Sequence, residues 1–103
     1  MPSSAATSTV LYPKGTNFNM SYYLSTHMPL VASKWGPYGL QSWRVVQMGA
    51  EVQFCVQASL EWESVECMQK ALQGPETQEV MGDVKNFADK EPVFLGGQVV
   101  GSS

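Results

Sequence analysis

The sequence predicts one α+β domain with its elements in the order strand, helix, strand, strand, helix, strand. Three observations carry that expectation. Val52, Phe54, Val56, Ala58 and Leu60 alternate with Gln53, Cys55, Gln57, Ser59 and Glu61, a period of two that gives a strand one apolar and one polar face. Met20, Tyr23, Leu24, His27, Val31 and Trp35 fall near i, i+3/4, i+7, i+11 and i+15, the stripe of an amphipathic helix. Gly36-Pro37 and Gly74-Pro75 stop two helical stretches, since neither residue continues a helix.

In chain order, residues 1–7 are small and polar and are expected to form a disordered tail, with the domain proper over 8–101. The β-branched run Thr7 to Tyr12 is the core of the first strand, and Pro13-Lys14-Gly15 ends it. Asn19 is suited to cap the first helix, because its side-chain oxygen can accept a free amide of the first turn. Tyr23 and His27 are four residues apart and so are neighbours on that helix. Pro29 brings no amide and crowds the preceding turn, which predicts a kink or break just after the histidine.

Gln41 to Met48 is the second strand, with Trp43, Val45 and Gln47 on one face and Ser42, Arg44, Val46 and Met48 on the other. Gly49-Ala50 turns the chain into the third strand, Val52 to Trp62. The Gln, Cys and Ser side chains on the polar face of that strand suit a wet cavity wall or a subunit interface; a solvated face is the plainer alternative. Ser64 caps the second helix, with Val65, Met68, Ala71 and Leu72 inward. A short helix from Glu76 to Gly82 is expected to turn Val80 and Met81 inward, and Asp83 to Glu91 is a loop or single turn. Pro92 to Val100 is the last strand; its proline marks an edge or a first residue, and Gly96-Gly97 a bulge or close approach. This element order is the split β-α-β arrangement of ferredoxin-like domains, with two helices on a four-stranded antiparallel sheet.

The chain has 103 residues, a formal net charge of -3 and only 15% charged residues, against about 25% in typical domains. A chain of this size has little spare core for a cavity, so a second copy is expected to help wall any ligand site. The low charge fits the same expectation. No basic run supplies the attraction that nucleic-acid binding needs. No apolar run approaches the ~18 residues of a membrane span. The N-terminus lacks the charged and apolar regions of a secretory signal, and Cys55 and Cys67 lie in unlike contexts, which suggests reduced thiols in a cytoplasmic protein.

His27 is the only histidine and the natural acid/base, because imidazole exchanges protons near neutral pH without a cofactor. A histidine merely packed on the sheet is the competing assignment. Tyr23 could orient it or donate to an enolate oxygen. Tyr22, about 100° around the helix, is expected at the surface or an interface. Asp83 and Asn86 could orient His27 or bind substrate, or simply cap a turn. Met20, Trp35, Phe54 and Phe87 are candidates to bind substrate in an aromatic-walled pocket, of the kind that binds small molecules; such residues otherwise serve as core. The single histidine, with no C-x-x-C or H-x-x-E spacing, argues against a metal site, and no glycine-rich phosphate loop follows a strand. No cofactor is expected. Cys55 could meet His27 across the sheet, but an inert thiol is the better assignment.

The chain resembles the EthD family of the dimeric α+β barrel superfamily. The matching residues are Val10-Leu11-Tyr12-Pro13 with Gly15; Phe18; Met20, Tyr22-Tyr23-Leu24, Thr26-His27-Met28-Pro29-Leu30-Val31; and Trp35-Gly36-Pro37. They continue through Ser64 to Leu72, Val80-Met81-Gly82-Asp83, Asn86-Phe87, Asp89 and Glu91-Pro92-Val93. The family often has aspartate where this chain has Asn19 and Ser21; the cap survives that change, but the charges do not. The resemblance implies a homodimer whose sheets pack face to face into a barrel, which would cover the polar face of the third strand. Related barrels include polyketide cyclases, muconolactone isomerases, cofactor-free monooxygenases and haem-degrading enzymes, and fold alone does not choose among them. The leading expectation is a cofactor-free enzyme of lyase or isomerase type in secondary metabolism. It would act on a polyketide-like, phenolic or carbonyl substrate by cyclisation, dehydration, isomerisation or decarboxylation, with His27, Tyr23 and Asp83 as catalytic residues. A cofactor-free monooxygenase and a non-catalytic binding barrel are the alternatives.

Overall fold

The computed structural model describes residues 5–103; most of the expected tail, residues 1–4, lies outside them. The strands are β1 (Ala6–Pro13), β2 (Leu40–Gln47), β3 (Phe54–Trp62) and β4 (Val93–Gln98). They form one antiparallel sheet in the order β2-β3-β1-β4. Helices α1 (Met20–Tyr22), α2 (Met28–Trp35), α3 (Val65–Gln73) and α4 (Glu76–Gly82) cover one face. The result is the expected α+β, ferredoxin-like arrangement.

Alternation decides which side of each strand is buried. Ala6, Ser8, Val10 and Tyr12 of β1 are buried, and their partners Trp62, Leu60, Ala58 and Val56 of β3 share that face. With Val31 and Trp35 of α2, Met68 and Ala71 of α3, and Val80 of α4 they make the core. Opposite is a face that no helix covers. It carries Thr7, Thr9 and Leu11 of β1, Gln57, Ser59 and Glu61 of β3, Arg44 and Val46 of β2, and Val93 and Leu95 of β4.

Local signals set several boundaries. The Asn19 side chain accepts the Tyr22 amide at 3.1 Å, and Ser64 Oγ accepts the Cys67 amide at 3.1 Å, so both expected caps form. Gly39, at φ 113°, takes the chain from α2 towards β2, and a Cβ there would sit 2.9 Å from the Cys67 side chain. Only glycine fits on both counts. Gly96 is a close approach, as expected: a Cβ there would lie 3.2 Å from Met68 Sδ. Pro92 immediately precedes β4, an edge strand, where its missing amide disrupts no ladder.

Four expectations need correction. Ala6, expected in the tail, pairs with Trp62 and begins β1 one residue before the strand run that starts at Thr7; long-range pairing captures a residue whose own composition is unremarkable. Val52 lies outside β3, which begins at Phe54. Met81 is 40% exposed while Val80 is buried, because one helical position rotates a side chain by about 100°. The first helix yields over Tyr23–His27, up to the histidine and not just after it: this segment forms a π turn, closed by the Met28 amide on the Tyr23 carbonyl. In a regular α-helix the Pro29 ring would crowd the Ser25 carbonyl, and the wider turn relieves that clash.

Candidate active site

The π turn builds the site. Its first and last residues, Tyr23 and His27, are both buried. Their rings stack with centroids 5.2 Å apart and planes 13° from parallel. Phe87 closes the far side, 4.5 Å from the His27 ring and 4.8 Å from that of Tyr23. Tyr12, from the end of β1, stands 6.0 Å from the Tyr23 ring and completes an aromatic nest.

At the end of α4 comes Asp83, which is the hub. Its Oδ2 lies 3.0 Å from His27 Nδ1. Its Oδ1 accepts both the Tyr22 hydroxyl and Asn86 Nδ2 at 2.8 Å. Burial pushes the Asp83 carboxyl up, but the three donors Asn86, His27 and Tyr22 outweigh it and hold the group below its ordinary value. For His27, burial is the largest influence and pushes the imidazole down; the Asp83 hydrogen bond and charge push it back up without reversing the shift. The pair at neutral pH is therefore carboxylate and neutral imidazole. An ionised carboxylate only accepts, so Nδ1 carries the hydrogen and Nε2 keeps its lone pair. Nε2 makes no hydrogen bond to the described residues.

His27 borders a cleft between the helices and the sheet, together with Tyr12, Tyr23, Val31, Trp35 and Phe94. Its free core is about 20 Å³, room for about one water molecule. Any larger molecule would have to displace side chains, and the flexible Met28 and Met81 in the wall are suited to yielding. Met81, Val84 and Pro92 border both this cleft and an outer groove that includes Lys85 and Lys90, so they form its mouth. Burial, then the neighbouring Tyr23 hydroxyl, holds Tyr12 far above the ordinary phenol range. Burial does the same to Tyr23, with the Tyr12 hydrogen bond opposing it. Both remain hydroxyl donors at any working pH.

Of the residues singled out in the sequence, His27, Tyr23 and Trp35 border the cleft. Asp83 backs His27, Asn86 braces Asp83, and Phe87 packs behind the imidazole. Met20 and Phe54 lie elsewhere. Met20 lines an outer groove with Asn86 and Phe87. Phe54 sits opposite Pro13, where the β1–β3 register shifts past Tyr12. Cys55 is away from His27, and its Sγ donates to the Pro13 carbonyl at 3.3 Å. Tyr22, expected at the surface or an interface, is half-buried there and also donates to Asp83, with its ring stacked 6.2 Å from Phe87. Tyr12 was missed as a cleft residue although it stands within the family string. Among the described residues no group of three or more His, Cys, Asp or Glu side chains could hold a metal. None of their helices is long and apolar enough to cross a membrane.

Asp83→Asn tests the pair. It removes the group that raises the imidazole, so His27 should titrate at lower pH than in the native protein, and the acid limb of any rate profile should move the same way. The amide can also hold the wrong tautomer, so the rate should fall by roughly 10²–10⁴-fold. An unmoved imidazole titration in the variant would show that Asp83 does not govern His27.

The family model described as the EthD domain matches residues 17–91, more than half of the chain. An EthD-like protein from Ralstonia eutropha has a similar structure, with a TM-score of 0.84 and 26% identity over 98% of this chain and 96% of that one. An ethyl tert-butyl ether D family protein from Bacillus halodurans gives 0.72 and 21%, over 93% and 99%. SnoaB, a cofactor-independent oxygenase from Streptomyces nogalater, gives 0.71 with 8% identity, over 97% of both chains. No curated protein matches this chain.

Proposed function

The chain belongs to the EthD family, and from that premise we propose that it is a cofactor-free enzyme of proton-transfer chemistry on a small, mostly apolar carbonyl or phenolic molecule. The observation that carries this is the neutral His27 imidazole. It is oriented through Nδ1 by Asp83 and has Nε2 free beside an apolar cleft. Nε2 takes a proton from a carbon or hydroxyl activated by a neighbouring carbonyl. Tyr12 or Tyr23 donates a hydrogen bond to the enolate oxygen, and the aromatic wall limits water. The imidazolium, stabilised by Asp83, returns the proton at the same or another atom. Cyclisation, dehydration and isomerisation each need that abstraction, while decarboxylation breaks a C–C bond to release CO2 and needs the enolate stabilised and then protonated.

The direct test is exchange of the acidic C–H of β-tetralone for deuterium in D₂O, followed by NMR. Acceleration over buffer that depends on His27 is expected; exchange at the buffer rate contradicts the proposal. A second reading, cofactor-independent oxygenation, draws support from the shared fold of SnoaB. There the same carbanion would meet oxygen, and substrate-dependent oxygen consumption separates the two.

The same proposal includes a homodimer formed through the uncovered sheet face. Leu95, Val93 and Val46 stand on that face at 52%, 41% and 38% exposure, an apolar content that a monomer would leave in water. Leu95→Arg is expected to turn a dimer into a monomer in light scattering; a wild-type monomer contradicts the pairing.

A further inference from the structure

We propose that the Trp35 indole N–H is a docking donor for the substrate, and that the molecule the cleft takes carries a neutral acceptor oxygen, a ketone or an ether, at the end of the cleft away from His27. This rests on the acid/base reading above and adds to it the chemistry of the ligand's other end.

Trp35 is 1% exposed, and its Nε1 is the one buried side-chain nitrogen or oxygen among the described residues with no hydrogen-bond partner. A buried N–H is ordinarily paired, and this fold does pair its other buried indole: Trp62 Nε1 donates to Ser8 Oγ at 3.0 Å. The free space beside Trp35 is the cleft, which it borders together with His27 and Val31. His27, Val31 and Trp35 follow one another at four-residue spacing along one helical stripe. The eight residues from the imidazole to the indole rise roughly 12 Å along the axis, and the indole leans back over the preceding turn. A molecule that opened the cleft as far as Trp35 would thus meet a base at one end, aliphatic wall in the middle and the indole donor at the other. No lysine or arginine lines it. An anionic oxygen would be buried without a counter-charge, so the acceptor that fits is neutral. The cleft should also discriminate strongly, because an apolar analogue leaves the indole N–H unpaired.

The test uses the nitrogen-15-labelled full chain with two probes of nearly equal shape, α-tetralone, which has a carbonyl, and tetralin, which has none. Indole and imidazole signals are recorded in the same titrations, with Trp35→Phe used to identify the Trp35 indole. We expect α-tetralone to move the Trp35 indole proton downfield and tetralin not to. In Trp35→Phe, the preference for α-tetralone over tetralin should fall about tenfold, the loss of one hydrogen bond. If α-tetralone shifts the His27 imidazole but treats the Trp35 indole as tetralin does, this inference falls and the acid/base reading stands. If neither probe moves either residue, both fall. The wild-type titration decides the matter even if the variant folds poorly.

Discussion

Replacing His27 with alanine is expected to lower proton-transfer turnover by roughly 10²–10⁴-fold, the range a positioned general base supplies, while the domain stays folded. The side chain is buried, but its loss strands no partner. Asp83 keeps the Tyr22 hydroxyl and the Asn86 amide at 2.8 Å, and the aromatic nest keeps Tyr12, Phe18, Tyr23 and Phe87 in mutual contact. Deuterium exchange into β-tetralone measures the first effect and a far-ultraviolet thermal melt the second. A non-catalytic binding barrel predicts a different outcome, with no exchange above buffer even for the native protein and ligand affinity little changed by the substitution. Retained exchange in a folded His27→Ala protein sinks the proposal that His27 is the base.

Trp62→Ala should have the largest effect on stability. Trp62 is fully buried at the end of β3, opposite Ala6 and Leu40, with its ring 5.6 Å from that of Trp35. It joins the sheet to the helical layer, and its Nε1 satisfies Ser8. Large aromatic-to-alanine changes in cores cost about 3–5 kcal/mol. A domain of this kind has only about 5–15 kcal/mol to lose. Urea unfolding should show a midpoint far below that of the native protein with an unchanged slope. Trp43→Ala, at an exposed edge-strand residue, should change the midpoint little. Equal midpoints for the two variants would contradict the account of the core.

The sequence displayed those parts of the fold whose cause is local. Alternation from Val56 to Trp62 gave the buried face of β3. Asn19 and Ser64 marked two helix starts, and Glu76 and Gly82 bounded α4 as the structure has it. What stayed hidden depends on distance in space. Ala6 is a strand residue only because β3 and β4 lie on either side. Phe54 shares the alternation of Val56 and Ala58, but the cleft takes Ala58 and Leu60 from β3 and does not extend along the strand to Phe54. Met81 lies half-exposed at the mouth of the cleft, not buried in the core, because helical phase, which hydrophobicity does not reveal, sets its direction. In the candidate site the single histidine, its tyrosine neighbour and Asp83 were all visible. The convergence of Tyr22, His27 and Asn86 on one carboxylate was not, because Tyr22 and Asp83 are 61 residues apart in sequence. The π turn was half legible: Pro29 announced an irregularity, but the side on which the helix would yield depends on the Ser25 carbonyl.

Acid stability follows from the same pair. Both folded-state values are depressed, so each group contributes stability above its unfolded value and loses it as pH falls. His27 accounts for a decline setting in below about pH 6.5 and Asp83 for a further one below about pH 4. Denaturant midpoints across that range should fall monotonically with acidification, and the upper step should be absent in His27→Ala.

The account stands or falls on the state of one imidazole. Nitrogen-15 NMR of the labelled protein reads it without ambiguity, because His27 is the only histidine. The prediction is a titration midpoint below about 6.5, with the neutral form protonated on Nδ1 and its Nε2 lone pair free. A midpoint at or above that value would contradict a neutral imidazole governed by burial, and a neutral form protonated on Nε2 would mean that Asp83 does not orient His27 and that the nitrogen left free has no lone pair to accept a proton.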